Sequence, residues 1–539
     1  MAQWNLADCL DRIAAVRGDD EALLQGERRL SWQKLERRAR NLAAWMLAQG
    51  ASHQAKVAIY TYNNPAFMET VYAAFKAALV PVNVNYRYRE EELRYLLDNA
   101  DAEIVVVHED FVSLLTKLAG ELPQIKGVLV VRESDAPLPA GAEDYEVVAE
   151  TERAAPAVTR SPDDMMFLYT GGTTGMPKGV MWRQDDLYYR FAGGGLSQPP
   201  EDMEALVEFV KAPPLRLRTV VGPPLMHGTG WFSAMIAWLT GGTVILLDDP
   251  KTFDAAQLWE IVERTKATSV TIVGDSFAKP MLRALEEAKR SYDLSSVVIV
   301  LSSGVMWSQE VKQGLLKFNE NMMLVDAFSS SEAVAMGLSI TTKAGASSTA
   351  KFQLTDKTRL FDETLRPVET KPGVKGLIGV GGHQPVGYYK DPAKTARTFV
   401  QTETDRYSIP GDWVVVNDDG VTLTVLGRGS VCINTGGEKV FPEEVEEVIK
   451  RHPSIKDAVV VGVPDEKWGE AVTAVVSPNA GPVAPEVLKA FVKEHLAGYK
   501  APKHVVVVDE VYRSPSGKAD FKRTKQLAME ALGLGDRRS

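Results

Sequence analysis

Cysteine is nearly absent. Two thiols, Cys9 and Cys432, stand in a chain of 539 residues. That is too few for a disulfide framework or a cysteine-based metal site, and it fits a reducing compartment, so a cytoplasmic protein is expected. Positive charge is outnumbered, with 61 Lys and Arg against 71 Asp and Glu. A formal net charge of −10 argues against a nucleic-acid or anionic-membrane partner. The first residues carry Asp8 and Asp11 where a signal peptide would have a basic start and an apolar core. Long apolar runs are missing too, with one near exception. Gly230–Leu247 has no charged residue and approaches the length of a membrane span. Thr240-Gly241-Gly242-Thr243 divides it into a buried helix (Trp231–Leu239) and a core strand (Val244–Leu247), so no transmembrane segment is expected.

What is present is ordinary for a globular chain that buries a real core: 45% hydrophobic and 24% charged residues. Helical and strand-like patterns alternate. Leu30–Gln49 has Ser31 to cap it, Leu35, Leu42, Trp45 and Met46 on one face, Arg37, Arg38 and Arg40 opposite, and Gly50 as a stop. Lys56–Tyr60, Glu103–Val107 and Gly127–Val131 read as strands and Ala66–Ala78 as a helix. Thr219–Gly222, Ser269–Val273, Val297–Leu301 and Met322–Val325 extend the alternation, which predicts βαβ units and parallel sheets. Thr341–Lys351 reads as a loop, and Gly193-Gly194-Gly195 with the acidic Glu201–Glu208 as an insertion-like region, either a plain surface loop or the border of a ligand pocket. Gly373–Val380 and Thr422–Leu426 read as antiparallel strands of a barrel-like subdomain. The fold class is therefore α/β: a large N-terminal domain of stacked βαβ-type sheets plus that subdomain over 1–427, a hinge at 428–430, and a small mobile α+β domain over 431–539.

Tyr169–Gly179 reads Tyr-Thr-Gly-Gly-Thr-Thr-Gly-Met-Pro-Lys-Gly, with the apolar strand Met165–Tyr169 leading in. Gly171, Gly172 and Gly175 let the backbone wrap a ligand closely. Successive amides suit an anion. Thr170, Thr173 and Thr174 add hydroxyls, and Lys178 adds a point charge for a phosphate. The stretch reads as a polyphosphate loop, with a solvated Gly/Thr turn as the plain alternative. It is neither a P-loop nor a Rossmann turn, because Pro177 precedes Lys178, Gly179 follows it and the Gly-x-Gly-x-x-Gly spacing is missing. Elsewhere, His227 follows a Pro-Pro turn at a strand end, as a structural residue or a site residue. Glu332, after three serines, is either a Mg²⁺ ligand or a helix-start glutamate on serine caps. Asp412 suits ribose hydroxyls or a simple turn. Lys518, on a Pro/Gly loop, would by itself be a solvated tail lysine.

Taken in order, these segments resemble the acyl-adenylate-forming superfamily of acyl-CoA synthetases, adenylation domains and firefly luciferase. The resemblance rests on Thr170–Gly179, Phe328-Ser329-Ser330-Ser331-Glu332, Gly387-Tyr388-Tyr389, Gly411-Asp412, Gly427-Arg428, Gly436–Glu446 and Pro515-Ser516-Gly517-Lys518. Its order and spacing run from about Arg28 to Lys525. Gly171–Trp182 and Arg513–Phe521 look like the fatty-acyl and steroid-side-chain acyl-CoA synthetases.

The resemblance implies an ATP-dependent ligase that turns a carboxylic acid into acyl-AMP and then a CoA thioester, with ATP, Mg²⁺ and coenzyme A. Thr170–Lys178 would bind the β- and γ-phosphates. Ser303, Gly304 and Val305 with Asp326, Ala327 and Phe328 would line the adenine, and Ser331 would contact the α-phosphate. Glu332 would hold Mg²⁺, and Asp412 and Arg428 the ribose. Lys518 would bridge the attacking carboxylate and the α-phosphate. Gly436 and Gly437 would flank the pantetheine path, and His227 would lie between nucleotide and acyl pocket. The small domain would swing about Gly429-Ser430 between the steps. Three positions depart from the family pattern: Phe328-Ser329-Ser330-Ser331-Glu332 lacks the usual tyrosine, Gly376-Leu377-Ile378 stands for Gly-Glu-Leu, and Ser430 occupies the hinge. Two other readings are a different acceptor, either carrier-protein phosphopantetheine or oxygen, and a nucleotide-binding regulator without catalysis. Trp231, Phe232 and Met235 read as core packing or as an acyl-tunnel wall.

Overall fold

A computed structural model describes residues 3–170, 176–192, 198–305, 307–346, 351–435, 438–465, 468–479, 481, 483–513 and 518–534. The chain forms two compact units. One comprises Met1–Thr349 with Gly381–Ser408, the other Ala350–Val380 with Ile409–Ser539.

The first unit carries two sheets. One is built on parallel strands in the order Met323–Ser330, Ile299–Ser303, Ser269–Ile272, Arg218–Val221, Thr243–Leu246 and Glu21–Gln25, with antiparallel hairpins at both edges. The other runs Gly387–Tyr388, Lys178–Arg183, Met165–Thr170, Val80–Asn83, Lys56–Tyr60, Ala102–His108, Gly127–Val131, Ala142–Asp144. Strand residues alternate between faces. Val57 and Ile59 join one core and Ala58 and Tyr60 another. Val244 and Leu246 likewise point away from Ile245 and Leu247. The helices Trp32–Ala48, Pro65–Lys76 and Gly228–Leu239 pack in the core shared by the two sheets. Ala255–Thr265, Gly274–Glu286 and Gln309–Leu316 cover the outer face of the first sheet. Buried on both faces, the central strands are near-continuous hydrophobic runs, as parallel sheets require.

The second unit has an antiparallel sheet in the order Lys351–Gln353, Thr422–Arg428, Asp412–Val416, Lys375–Val380, Thr358–Phe361, Pro367–Val368. This is the predicted subdomain, with Asp412–Val416 between the two predicted strands. A further sheet pairs Ile455–Asp465 with Gly469–Pro478, and His504–Val507 joins in parallel. Helices Pro442–Lys450 and Pro485–His495 bury against one face and Phe521–Ala531 against the other.

Four expectations change. Arg38 is not on the solvent face. It lies three residues after Leu35 and four before Leu42, hence on the buried stripe, and is 1% exposed against Glu69. The acidic Glu201–Glu208 stretch is not a loop throughout. Met203–Lys211 is a helix capped by Asp202, which accepts from the Ala205 amide (2.8 Å), and it buries Leu206 and Val210. The strand expected to end at Val325 continues to Ser330 and returns as Ala333–Thr342, so Glu332 sits in a hairpin turn and not at a helix start. Thr341–Lys351 is partly strand, through Thr342 and Gly345–Ala346. The uncharged Gly230–Leu247 stretch folds as helix, turn and strand, and no helix among the described residues is long and apolar enough to cross a membrane.

Candidate active site

The glycine loop is the connection of a hairpin. Met165–Thr170 pairs antiparallel with Lys178–Arg183, and Thr170 faces Lys178 across the ladder. The connection is thus anchored at both ends by a buried strand pair. Gly171, Gly172, Thr173, Thr174 and Gly175 lie outside the described residues. Asn83, closing a parallel strand, fastens the entry. Its amide donates to the carbonyls of Tyr169 (2.8 Å) and Met226 (2.6 Å), and its carbonyl accepts from the Tyr169 amide (2.7 Å). Asn63 holds the adjoining turn through the Leu225 amide (2.7 Å) and the Pro223 carbonyl (3.1 Å). His227 therefore sits on a turn fixed from two sides, as N-cap of Gly228–Leu239. Gly230 is obligatory there, because a Cβ would lie 2.5 Å from the Pro224 carbonyl oxygen. Trp231, Phe232 and Met235 are buried, with Trp231 edge-on to Phe67 at 5.5 Å, so core packing accounts for them.

Lys178 is half-buried and pairs with Asp391, whose other oxygen caps helix Pro392–Thr398 by accepting from the Lys394 amide (2.9 Å). The Lys178 ammonium holds the Asp391 carboxyl below its usual range. The two segments expected at the adenine are neighbours, with Ser303 opposite Ala327 across a parallel ladder and its hydroxyl donating to the Ala327 carbonyl (2.9 Å). Gly304 follows with a left-handed φ of +94° and leads into Val305. Asp326 is buried against Lys312 of helix Gln309–Leu316. Burial pushes its carboxyl above the usual range, with Lys312 opposing. Phe328, two residues on, is half-buried.

Ser331 and Glu332 occupy the turn that ends this strand, at the carboxyl edge where ligands of α/β sheets bind. The indole of Trp182 donates to the Ser331 carbonyl (3.1 Å), and the Ser408 hydroxyl to the Glu332 carbonyl (2.7 Å). The Glu332 side chain is 8% exposed, and its Oε1 accepts from the Tyr388 hydroxyl (2.7 Å). Tyr388 pairs with Val180 on the strand that begins at Lys178. Lys178, Ser331 and Glu332, from different sheets and far apart in sequence, are thereby tied into one framework. Its donor set is a carboxylate beside hydroxyls, without thiolate or imidazole, which suits a hard ion such as Mg²⁺ that also takes phosphate oxygens. A second cluster, Asp185, Asp186 and His383, is committed elsewhere: Asp186 binds Arg183 (2.7 Å) and His383 (3.0 Å), and Asp185 accepts from the Trp4 amide (2.8 Å).

In the second unit, Asp412 opens one strand and Arg428 closes its neighbour. They are register partners, with the guanidinium Nε donating to the carboxylate at 3.2 Å. Ser430 lies in the single turn Gly429–Val431. Lys518 is exposed, next to a bridge between Arg513 and Ala519. Arg513 grips Asp457 with two nitrogens (2.5 and 2.7 Å). Gly436, Gly437 and Pro515-Ser516-Gly517 lie outside the described residues.

Beside Arg428 is a group that sequence reasoning missed. The Glu443 carboxylate lies against Gly427, where an added Cβ would come 2.1 Å from Oε2 and where φ is +129°. Burial, with Glu446 adding like charge, pushes its pKa up to about 8. The folded state thus keeps a proton that the unfolded chain releases above 4.5. That advantage is complete below the unfolded value and is lost as pH rises through the folded one. Glu443→Gln is expected to raise the thermal midpoint by several degrees at pH 8.5 and to change it little at pH 5. Equal midpoint shifts at both pH values would refute the elevated pKa.

Asn83, Asp391, Tyr388, Ser408, Lys312 and Glu443 are the supporting residues that motif reading did not assign. Tyr388 and Glu443 lay within quoted motifs, and there without a role.

The sequence matches the AMP-binding enzyme family over residues 10–389 and the AMP-binding enzyme C-terminal domain over 444–518. It is 38% identical, over 98% of its length and 97% of the relative's, to a medium/long-chain-fatty-acid–CoA/3-oxocholest-4-en-26-oate–CoA ligase of Mycolicibacterium smegmatis. It is 37% identical, over 97% and 95%, to a 3-oxocholest-4-en-26-oate–CoA ligase of Rhodococcus rhodochrous. The crystal structure of the anthranilate CoA ligase AuaEII with anthranoyl-AMP superposes with a TM-score of 0.82 over 99% of both chains at 19% identity, a likeness of fold.

Proposed function

The chain belongs to the AMP-binding enzyme family, and on that premise we propose that it joins a medium- or long-chain fatty acid, or a steroid side-chain acid, to coenzyme A through an acyl-adenylate. It is a CoA ligase, an enzyme. The supporting observation is the framework that ties Lys178, Ser331 and Glu332 together through Trp182, Asp391 and Tyr388.

A carboxylate and a triphosphate repel, so the reaction needs cations placed before it begins. In this reading Lys178 leaves Asp391 to meet the β- and γ-phosphates with the Thr170–Gly175 loop. Ser331 meets the α-phosphate, and Asp412 with Arg428 takes the ribose. Glu332 would hold Mg²⁺, which supplies charge neutralisation on the phosphates when bound. Lys518 accompanies the attacking carboxylate. A carboxylate oxygen bonds to the α-phosphorus, the bond to pyrophosphate breaks, and acyl-AMP results. In the second step the CoA sulfur bonds to the acyl carbonyl carbon, AMP leaves with the bonding pair, and the thiol proton passes to solvent. Gly429-Ser430 is the proposed pivot between steps, and a reducing cytoplasm is the setting that ATP, CoA and two unpaired thiols suit.

A panel of fatty, aromatic and steroid acids tests this. Acid-dependent pyrophosphate release followed by CoA consumption is expected with fatty or steroid side-chain acids. Pyrophosphate release without CoA consumption would point to another acceptor, and none with any acid would remove the ligase reading. Glu332→Ala is expected to lower Mg²⁺-ATP-dependent adenylation by about a hundredfold or more. Near-normal pyrophosphate exchange in that variant would take Glu332 out of the metal site.

A further inference from the structure

We propose that Tyr388 is a positioning residue for the metal-binding carboxylate, setting the direction in which Glu332 presents its oxygens to the divalent ion that accompanies ATP. The inference rests on the reading of Glu332 as the metal ligand. Glu332 stands in a two-residue hairpin turn, where a glutamate side chain has several rotamers open to it. Its backbone is fixed by Ser408 (2.7 Å) and by Trp182 at the preceding carbonyl (3.1 Å), but neither contact reaches the carboxylate. Tyr388 does, at 2.7 Å to Oε1, and it is itself 4% exposed. The tyrosine is held in turn. Its amide donates to the Thr395 hydroxyl (2.9 Å), its ring packs against Phe399 with centroids 5.7 Å apart, and its strand pairs with the strand that begins at Lys178. A hydrogen bond from a fixed donor to one carboxylate oxygen selects a rotamer and directs the carboxylate's remaining lone pairs. Outer partners of this kind tune a site without touching the ion. Asp391, three residues on, pairs with Lys178. One short segment therefore aligns the metal carboxylate and the phosphate lysine together.

Mn²⁺ is the probe. Its binding with ATP, in the absence of any carboxylic acid, is read by electron paramagnetic resonance on the full-length enzyme. Tyr388→Phe keeps the ring and removes the donor. It is expected to weaken Mn²⁺–ATP binding roughly tenfold while leaving ATP binding in EDTA unchanged. Glu332→Gln should weaken it at least as much, and the double variant no further than Glu332→Gln alone. Unaltered Mn²⁺ binding in Glu332→Gln would overturn the assignment of the ligand itself. Lost binding in Glu332→Gln with wild-type binding in Tyr388→Phe, or fully additive losses, would overturn the role of Tyr388 alone. Thr395→Val, which loosens the tyrosine without altering it, serves if Tyr388→Phe does not fold. Weakened Mn²⁺ binding is expected there too, and wild-type affinity in it would equally overturn the proposal.

Discussion

Lys518→Ala is expected to abolish acyl-adenylate formation, by about 10²–10³-fold or more, and to spare thioester formation from supplied acyl-AMP. The physical reason is a difference between the two steps. The first drives a carboxylate onto a triphosphate, so negative charge must be brought together and then held in the transition state. The second starts from an activated, uncharged carbonyl whose leaving group is already installed. A lysine that serves the first encounter has no comparable charge to stabilise in the second. The side chain is exposed, while Arg513 is held by Asp457 and bridged to Ala519, so truncation leaves the local fold in place. The retained half-reaction doubles as proof of folding. Both half-reactions falling together would sink the assignment of separate conformations to the two steps.

The second large effect is on stability. Glu69→Ala is expected to cost about 3 kcal/mol, because it removes the fully buried partner of Arg38 and leaves the buried guanidinium only Glu146 (3.0 Å) and Glu150 (2.7 Å), both more exposed. Both residues are inaccessible, at 0% and 1% exposure, and join by two nitrogens of the guanidinium. Burial opposes the Arg38 charge, but Glu69 more than offsets it, so the guanidinium holds its proton more tightly than usual. Tyr145 reaches the same carboxylate at 3.4 Å. Replacing both partners, as in Arg38→Met with Glu69→Leu, removes both charges and should cost far less than either single truncation. Denaturant unfolding compares the three. A double variant as unstable as Glu69→Ala would show that packing, not the loss of the buried carboxylate facing Arg38, underlies the loss.

Much of the fold was legible because its signals are local. Lys56–Tyr60 and Gly127–Val131 have the bounds that their patterns predict. Where local signals failed, a distant partner had decided the outcome. Arg38 reads as a surface charge until Glu69 arrives from the next helix. Glu201–Glu208 reads as a solvated loop until Leu206 and Val210 find the core.

The site divides in the same way. The amino-acid sequence determined by itself which groups are available: a glycine loop closed by Lys178, the carboxylates Glu332 and Asp412, the bases Arg428 and Lys518. Side-chain chemistry and short spacing are properties of the chain alone. Only the tertiary structure decided what holds them. It placed Glu332 in a hairpin turn, and it brought up Tyr388 from 56 positions away, Asp391 to Lys178 from 213, and Asn83 to Tyr169 from 86. Hydrogen bonds across such separations leave no periodic trace in a sequence. They exist only once two sheets and the helices between them have closed, because burial makes each polar group find a partner.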